Sequence, residues 1–163
     1  MTQVLPKGWE KLKVQDVSKI YLGLTHTPQY IDNGIPFLSV KNISAGKIDF
    51  EDTKFISKEE FNSLPDGAKP QKGDVLFARV GTLGRPSIVD TEQPFGTFVS
   101  LGFFRVNKNK ILNTYIRYWM MSPSFWEQVN INVQGSTLKN LNTGWLKNFE
   151  INVPSLPEQK RIV

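Results

Sequence analysis

Residues 72–89, KGDVLFARVGTLGRPSIV, combine apolar content, turn residues and basic residues in an order that fits one structure. Asp74 to Val80 is rich in β-forming side chains, Gly81-Thr82-Leu83-Gly84 is a glycine-spaced turn, and Arg85 to Val89 can return as a second strand. The pattern predicts a buried hairpin with Arg79 and Arg85 near its tip. Two glycines allow positive φ or a close approach to another surface, which makes the tip a candidate contact region. The competing reading is an ordinary core hairpin whose arginines are merely solvated, because glycine-rich turns close many hairpins.

A chain of 163 residues is long enough for one domain that buries roughly 70% of its unfolded surface. Hydrophobic residues make up 39%, no apolar run approaches the length of a membrane span, and Met1-Thr2-Gln3 does not open a signal peptide. The expectation is a soluble, cytoplasmic protein without a membrane partner. No cysteine is present, which excludes disulfides, thiolate zinc sites and cysteine nucleophiles. The single histidine, His26, cannot build a histidine metal cluster and reads as a polar loop residue before Pro28. The net charge of +5 is uneven: residues 1–93 carry 12 basic and 12 acidic side chains, residues 94–163 carry 8 and 3. A basic half beside a neutral half suggests an anionic partner, nucleic acid ahead of membrane, since no basic amphipathic helix is seen.

Along the chain, Leu5 to Trp9 is a turn, Glu10 to Val14 a short strand and Gln15 to Ile20 about two helical turns. Thr25 to Gly34 reads as a loop. Ile35 to Val40 is a strand with a proline near its start, and Lys41-Asn42 lies just past its end. Ile43 to Ile56 holds a turn at Gly46 and an acidic patch, Asp49, Glu51 and Asp52, that would repel phosphates and is expected to face away from nucleic acid. Ser57 with Glu60 forms a capping box for a short helix that Pro65-Asp66-Gly67 ends. Beyond the hairpin, Phe95 to Val106 reads as one or two strands. Thr114 is placed as the cap of a helix whose Tyr115, Ile116, Trp119 and Met120 share a face; Ser122-Pro123 starts another with Phe125, Trp126 and Val129 inside. Those aromatics read as core in preference to a base-stacking platform. Trp145 to Phe149 is a turn or helix, Glu150 to Val153 a strand, and Pro157 suits the first position of a closing helix.

Residues 134–144, QGSTLKNLNTG, contain no acidic side chain. Gln134, Ser136, Thr137, Lys139, Asn140 and Asn142 offer donors and acceptors of the kind that read base edges and phosphates; a plain solvent loop is the alternative. Enzymatic signals are missing. A nuclease would need clustered carboxylates, and Pro65-Asp66 and Glu158-Gln159-Lys160 are far apart in sequence with no carboxylate-rich strand between them. No glycine-rich phosphate loop ends in Lys-Ser or Lys-Thr, and one histidine leaves no nucleophile and base pair. The chain reads as a binding module with no catalytic residues, metal or cofactor.

Four stretches in order, LPKGWEKLKVQDV (5–17), THTPQYIDNGIPFLSVKNI (25–43), the 72–89 hairpin and GSTLKNLNTGWLKNFEINVPSLPEQKRIV (135–163), resemble a target recognition domain of the specificity (S) subunit of type I restriction-modification systems. The closing P-x-L-P-E-Q-K-R-I-V is the strongest piece. The resemblance implies an α+β fold: a single mixed domain with a twisted β-sheet core, short flanking helices and the start of a C-terminal conserved helix. Residues 1–153 would be the target recognition domain and 154–163 the start of the conserved linker helix, which is expected to lengthen beyond Val163. The implied function is reading one half of a bipartite double-stranded DNA target. Methyltransferase (modification) subunits and a restriction subunit would supply catalysis, and a second recognition domain could pair with this one. The DNA-contacting set is expected to be Thr25, Thr27, Lys41, Asn42, Arg79, Thr82, Arg85, Gln134, Ser136, Thr137, Lys139 and Asn140. His26 stands where the family usually has glycine before Thr-Pro, so the Thr25 to Tyr30 loop is expected to meet DNA differently. The competing readings are a recognition-domain fragment of a single-chain restriction-methylation enzyme and a protein-interaction domain using the tryptophan and phenylalanine surface.

Overall fold

The hairpin expected from residues 72–89 is present: Val75–Ala78 pairs antiparallel with Gly84–Ile88, and all four residues of the first strand are buried. The computed structural model describes residues 4–132 and 140–163. In chain order the first elements are β1 (Glu10–Lys13), α1 (Val14–Val17), β2 (Ser18–Leu22), β3 (Ile35–Leu38), β4 (Ile43–Ser44), β5 (Lys47–Ile48), β6 (Lys54–Ile56) and α2 (Lys58–Ser63). The hairpin strands β7 (Val75–Ala78) and β8 (Gly84–Ile88) follow, then β9 (Gly96–Thr97), β10 (Leu101–Val106), α3 (Asn113–Met120), α4 (Pro123–Asn132), α5 (Thr143–Leu146), β11 (Glu150–Val153) and α6 (Leu156–Ile162).

The organising sheet has the order β2-β10-β7-β8, and its described neighbours are antiparallel. Alternate residues of β7 serve opposite faces, as a period of two requires. Val75 and Phe77 join the larger core with Phe104, Tyr115, Ile116, Trp119, Phe125 and Ile151. Leu76 and Ala78 join a second core with Leu38, Ile43, Val89, Phe95 and Phe103. A third cluster, Leu24, Phe37, Ile56, Leu64 and Ala68, lies at the sheet β6-β3-β9. The mixed α+β architecture thus matches the expectation. Tyr115, Trp119 and Phe125 of α3 and α4 are core, with Trp126 packed against them: Phe125 packs edge-on against Trp119, Trp126 and Phe149 with ring centroids 5.1, 5.3 and 5.8 Å apart.

Local patterns erred in four places. Helix is confined to Val14–Val17, and Ser18–Leu22 is an edge strand instead of a second helical turn. The physical reason is tertiary: pairing of Lys19 to Leu22 with Gly102 to Arg105 outweighs the weak local helical preference, while the Ser18 hydroxyl donates to the Val14 carbonyl and closes the single turn. Thr114 is not the cap of α3; Leu112 occupies that position, and the Asn113 side chain accepts from the Thr114 amide. At α2 the Ser57 hydroxyl accepts from the Glu60 amide at 3.1 Å, which is one half of the expected box. Pro157 follows Leu156, the first residue of α6, and so sits one position later than expected.

Helix α6 is fastened by a side chain that sequence reading left unexplained. Gln159 has no exposed surface; its carbonyl oxygen accepts from the Leu112 amide at 2.8 Å and its amide donates to the carbonyls of Lys110 and Pro154 at 3.0 and 2.9 Å. Nearby, the buried Tyr115 hydroxyl donates to the Asn152 carbonyl of β11 at 2.6 Å, and burial pushes its pKa up to about 12. Gln159→Met should leave three buried backbone groups without partners and cost about 3 kcal/mol in chemical denaturation. For Tyr115 the folded state keeps a proton that the unfolded phenol releases near pH ~10, so its contribution is complete below that pH and is lost as pH rises toward 12. Tyr115→Phe should flatten that part of the alkaline stability profile.

Candidate functional site

One end of the four-stranded sheet gathers segments that are remote in sequence. Leu22 faces Gly102, Leu101 faces Ala78, and Ala78 faces Gly84, so the chain beyond β2, before β10 and between β7 and β8 leaves the sheet side by side. Backbone bonds tie these segments together. The Leu24 amide donates to the Thr97 carbonyl at 2.8 Å, the Val99 amide to the Leu24 carbonyl at 2.9 Å, the Arg79 amide to the Ser100 carbonyl and the Leu141 amide to the Arg79 carbonyl at 2.8 Å. Val80 bridges to Asn140, and the Val40 amide donates to the Ser100 hydroxyl at 3.1 Å, bringing in the 3-10 turn Val40–Asn42. Gly23 is required by proximity, since a Cβ there would collide with the Phe98 carbonyl.

The hairpin carries a one-residue irregularity. Leu76 pairs with Ser87, but Ala78 pairs with Gly84, which leaves an extra residue in β8 at Arg85-Pro86. Such a bulge accommodates proline and a left-handed residue, and Arg85 has φ +50°. Its guanidinium donates to the Ile43 carbonyl at 3.1 Å. Gly84, at φ +84°, packs against the Trp126 ring, 3.2 Å from where a Cβ would lie.

Of the expected contact residues, Thr25, Thr27, Thr82 and Asn140 are exposed, and all lie on the segments at this end. Arg79 is half-buried, with Nε donating to the Leu141 carbonyl at 3.1 Å and Nη1 to the Val99 carbonyl at 3.0 Å; burial lowers its pKa. Neither Arg79 nor Arg85 pairs with a carboxylate among the described residues. Lys41 is exposed but 3.4 Å from Asp52, within the acidic stretch expected to repel phosphate. Asn42 has a different environment from the one expected of a DNA contact. It is 2% exposed, its oxygen accepts from the Ser39 amide, and its NH2 donates to the carbonyls of Asp49 and Asp52 at 3.2 and 2.7 Å. Its amide is consumed in shaping the turn. Gln134, Ser136, Thr137 and Lys139 lie outside the described residues.

Sequence reading missed Arg117. It is half-buried on α3 and donates through Nε to the Pro86 carbonyl at 3.1 Å, beside the bulge. A cation next to the apolar face of a helix was the available signal. Among the described residues no group of three His, Asp or Glu side chains is placed to hold a metal ion. None of the four tryptophans is exposed, so the aromatic surface that a protein-interaction reading requires is spent on packing. No helix of the described residues is long and apolar enough to cross a membrane. What the sheet end offers is hydroxyls, amides and guanidinium groups, a donor set suited to an anionic polymer.

The family model described as "Type I restriction modification DNA specificity domain" matches residues 6–163. The chain belongs to this family. Within the DNA specificity domain family, it is 27% identical to the type I restriction enzyme MjaVIII specificity subunit of Methanocaldococcus jannaschii over 96% of this chain and 38% of that protein. A chain from a structure of a type I R-M system superposes with a TM-score of 0.72 at 20% identity, covering 99% of this chain and 38% of the other. The HsdS subunit from Thermoanaerobacter tengcongensis gives 0.71 at 18% identity, covering 99% and 37%. These structures share the fold. The chain spans little more than a third of the relatives it matches. Asn42→Ala should lower stability by about 2 kcal/mol through the two carbonyls and one amide it strands, a loss visible in thermal or denaturant unfolding without any ligand.

Proposed function

We propose that this chain is the DNA-reading module of a type I restriction-modification specificity subunit, recognising one half of a bipartite double-stranded target. The observation that carries the reading is the pair of half-buried arginines, Arg79 and Arg85, held by carbonyl oxygens and lacking carboxylate partners among the described residues. Desolvating a cation without an anion is unfavourable, and a phosphate beside it would offset that cost. Family membership makes DNA the anionic polymer to test. The named relative is a specificity subunit.

In this reading the module itself is non-catalytic. Methyltransferase (modification) subunits and a restriction subunit act on the DNA it selects, and a second recognition domain reads the other half-site. Residues 1–153 form the recognition domain, and 154–163 begin the linker helix. The buried Gln159 amide supports that division, because it fixes the direction in which α6 leaves the domain.

Among the described residues the hydroxyls of Thr25, Thr27 and Thr82 and the amide of Asn140 make none of the structural bonds that occupy Arg79, so they are the side chains available for base edges. Arg85 serves to position the phosphate backbone. Asn140→Ala should cost about 1–3 kcal/mol on the preferred duplex and relax choice at one base pair. Arg85→Lys should weaken matched and mismatched duplexes alike. The check is a binding comparison on duplexes selected from a random pool; altered base preference from Arg85→Lys with unchanged preference from Asn140→Ala would reverse the two roles.

A further inference from the structure

A cleft of about 460 Å³ runs between β2 and α5, and its walls include Gln15, Ser18, Lys19, Tyr21, Thr143 and Lys147. Among the described residues no carboxylate lines it. Lys19 and Lys147 are exposed, and among the described residues neither lies within ion-pair distance of an acidic group. The adjoining cleft of about 500 Å³, also along β2, differs in both respects. It includes Asp16, and its Arg105 is already bound through two nitrogens to Asp74 at 3.0 and 2.8 Å.

The acid-free cleft is continuous with the sheet end already described. β2 passes directly into the Gly23 to Thr25 segment, and α5 begins three residues after Asn140. Two bonds fix the second wall: the Asn142 side chain accepts from the Gly144 amide at 2.7 Å, and the Gln15 amide donates to the Lys147 carbonyl at 3.1 Å. Lys19 and Lys147 are therefore held on separate, mutually anchored elements. Both are exposed, which suits the surface of a polymer better than an enclosed small anion.

We propose that the sugar–phosphate backbone flanking the bases being read lies along the β2–α5 cleft, with Lys19 and Lys147 contacting successive phosphates. This inference rests on the DNA-reading function proposed above. The contacts supply affinity and orientation and carry no sequence information. Each neutralised phosphate releases counterions, so each lysine contributes to the salt dependence of binding.

The test is a salt titration of this chain on a duplex selected from a random pool and on a mismatched version of it. Lys19→Gln combined with Lys147→Gln should flatten the log–log salt slope by roughly 1.8 and weaken both duplexes equally. Lys19→Arg with Lys147→Arg should restore the slope. Lys58→Gln with Lys160→Gln, on α2 and α6 and outside the cleft, removes the same charge and should leave the slope unchanged. An unaltered slope in the Lys19 and Lys147 double glutamine variant, while the unmutated chain binds DNA, overturns the cleft assignment and leaves the DNA-reading function standing. A changed base preference overturns it as well, as does inorganic phosphate binding that the double variant abolishes while duplex binding persists. An unmutated chain that binds no duplex at any salt concentration overturns the DNA-reading function itself.

Discussion

Burial of β7 on both faces is the constraint on which the rest depends. A strand buried on one face already resists a one-residue slip, because the slip would exchange its inward and outward sets. Here both sets are inward: Val75 and Phe77 serve one core, Leu76 and Ala78 the other. A slip would place small Ala78 and large Phe77 in each other's surroundings, creating a cavity on one side and a clash on the other. The register of β7 against β10 and β8 is thereby fixed, and with it the position of everything that leaves the sheet next to Ala78. Arg79, Ser100 and Gly84 are neighbours because the core permits one alignment.

The hairpin, the inner faces of α3 and α4, and β11 were legible in the sequence because each is written in local periodicity or turn chemistry. Tyr115, Ile116, Trp119 and Met120 repeat at helical spacing, and Phe125 and Val129 do the same one helix later. β2 was not legible. Ser18 to Leu22 has no strong local preference, and its extended form is decided by a partner strand some eighty residues away in sequence. The same distinction divides the site. That basic and amide-bearing residues stand near the hairpin tip could be read directly. That Asn42 is consumed by the carbonyls of Asp49 and Asp52, or that Arg79 reaches Leu141, depends on segments whose proximity only the folded sheet creates.

The arginines illustrate how similar side chains acquire different roles from what surrounds them. Arg105 is half-buried, stacked over the rings of Tyr21 and Phe103 at 5.1 and 5.4 Å, and its pKa is raised chiefly by hydrogen bonding to Asp74. Its charge is answered within the fold. Arg79 is also half-buried, but its partners are neutral carbonyls, and burial lowers its pKa. Carbonyl dipoles orient a guanidinium without cancelling its charge. A domain that places its saturated arginine toward the far end of β10 and its unsaturated ones at the end where the loops converge concentrates positive potential there.

Arg85 shows how the fold holds such a group in place. A side chain at φ +50° is less stable than glycine there by about 1–2 kcal/mol, so the position is not selected by local preference. The bulge imposes it. With one extra residue in β8, the backbone at Arg85-Pro86 swings away from the ladder, and the freed groups are taken up by the β4–β5 hairpin. The Ser87 hydroxyl donates to the Ser44 carbonyl at 2.6 Å, the Gly46 amide to the Pro86 carbonyl at 3.2 Å, and Arg85 itself to Ile43. Arg117 completes the set from α3 through the same Pro86 carbonyl, its guanidinium 2.8 Å from where a Gly46 Cβ would lie. The β4–β5 hairpin and α3 therefore converge on this one-residue bulge, and the strain at Arg85 is sustained by bonds that an unbulged hairpin could not make. A guanidinium anchored in this way gives up little further freedom when an anion approaches, which reduces the ordering cost of binding.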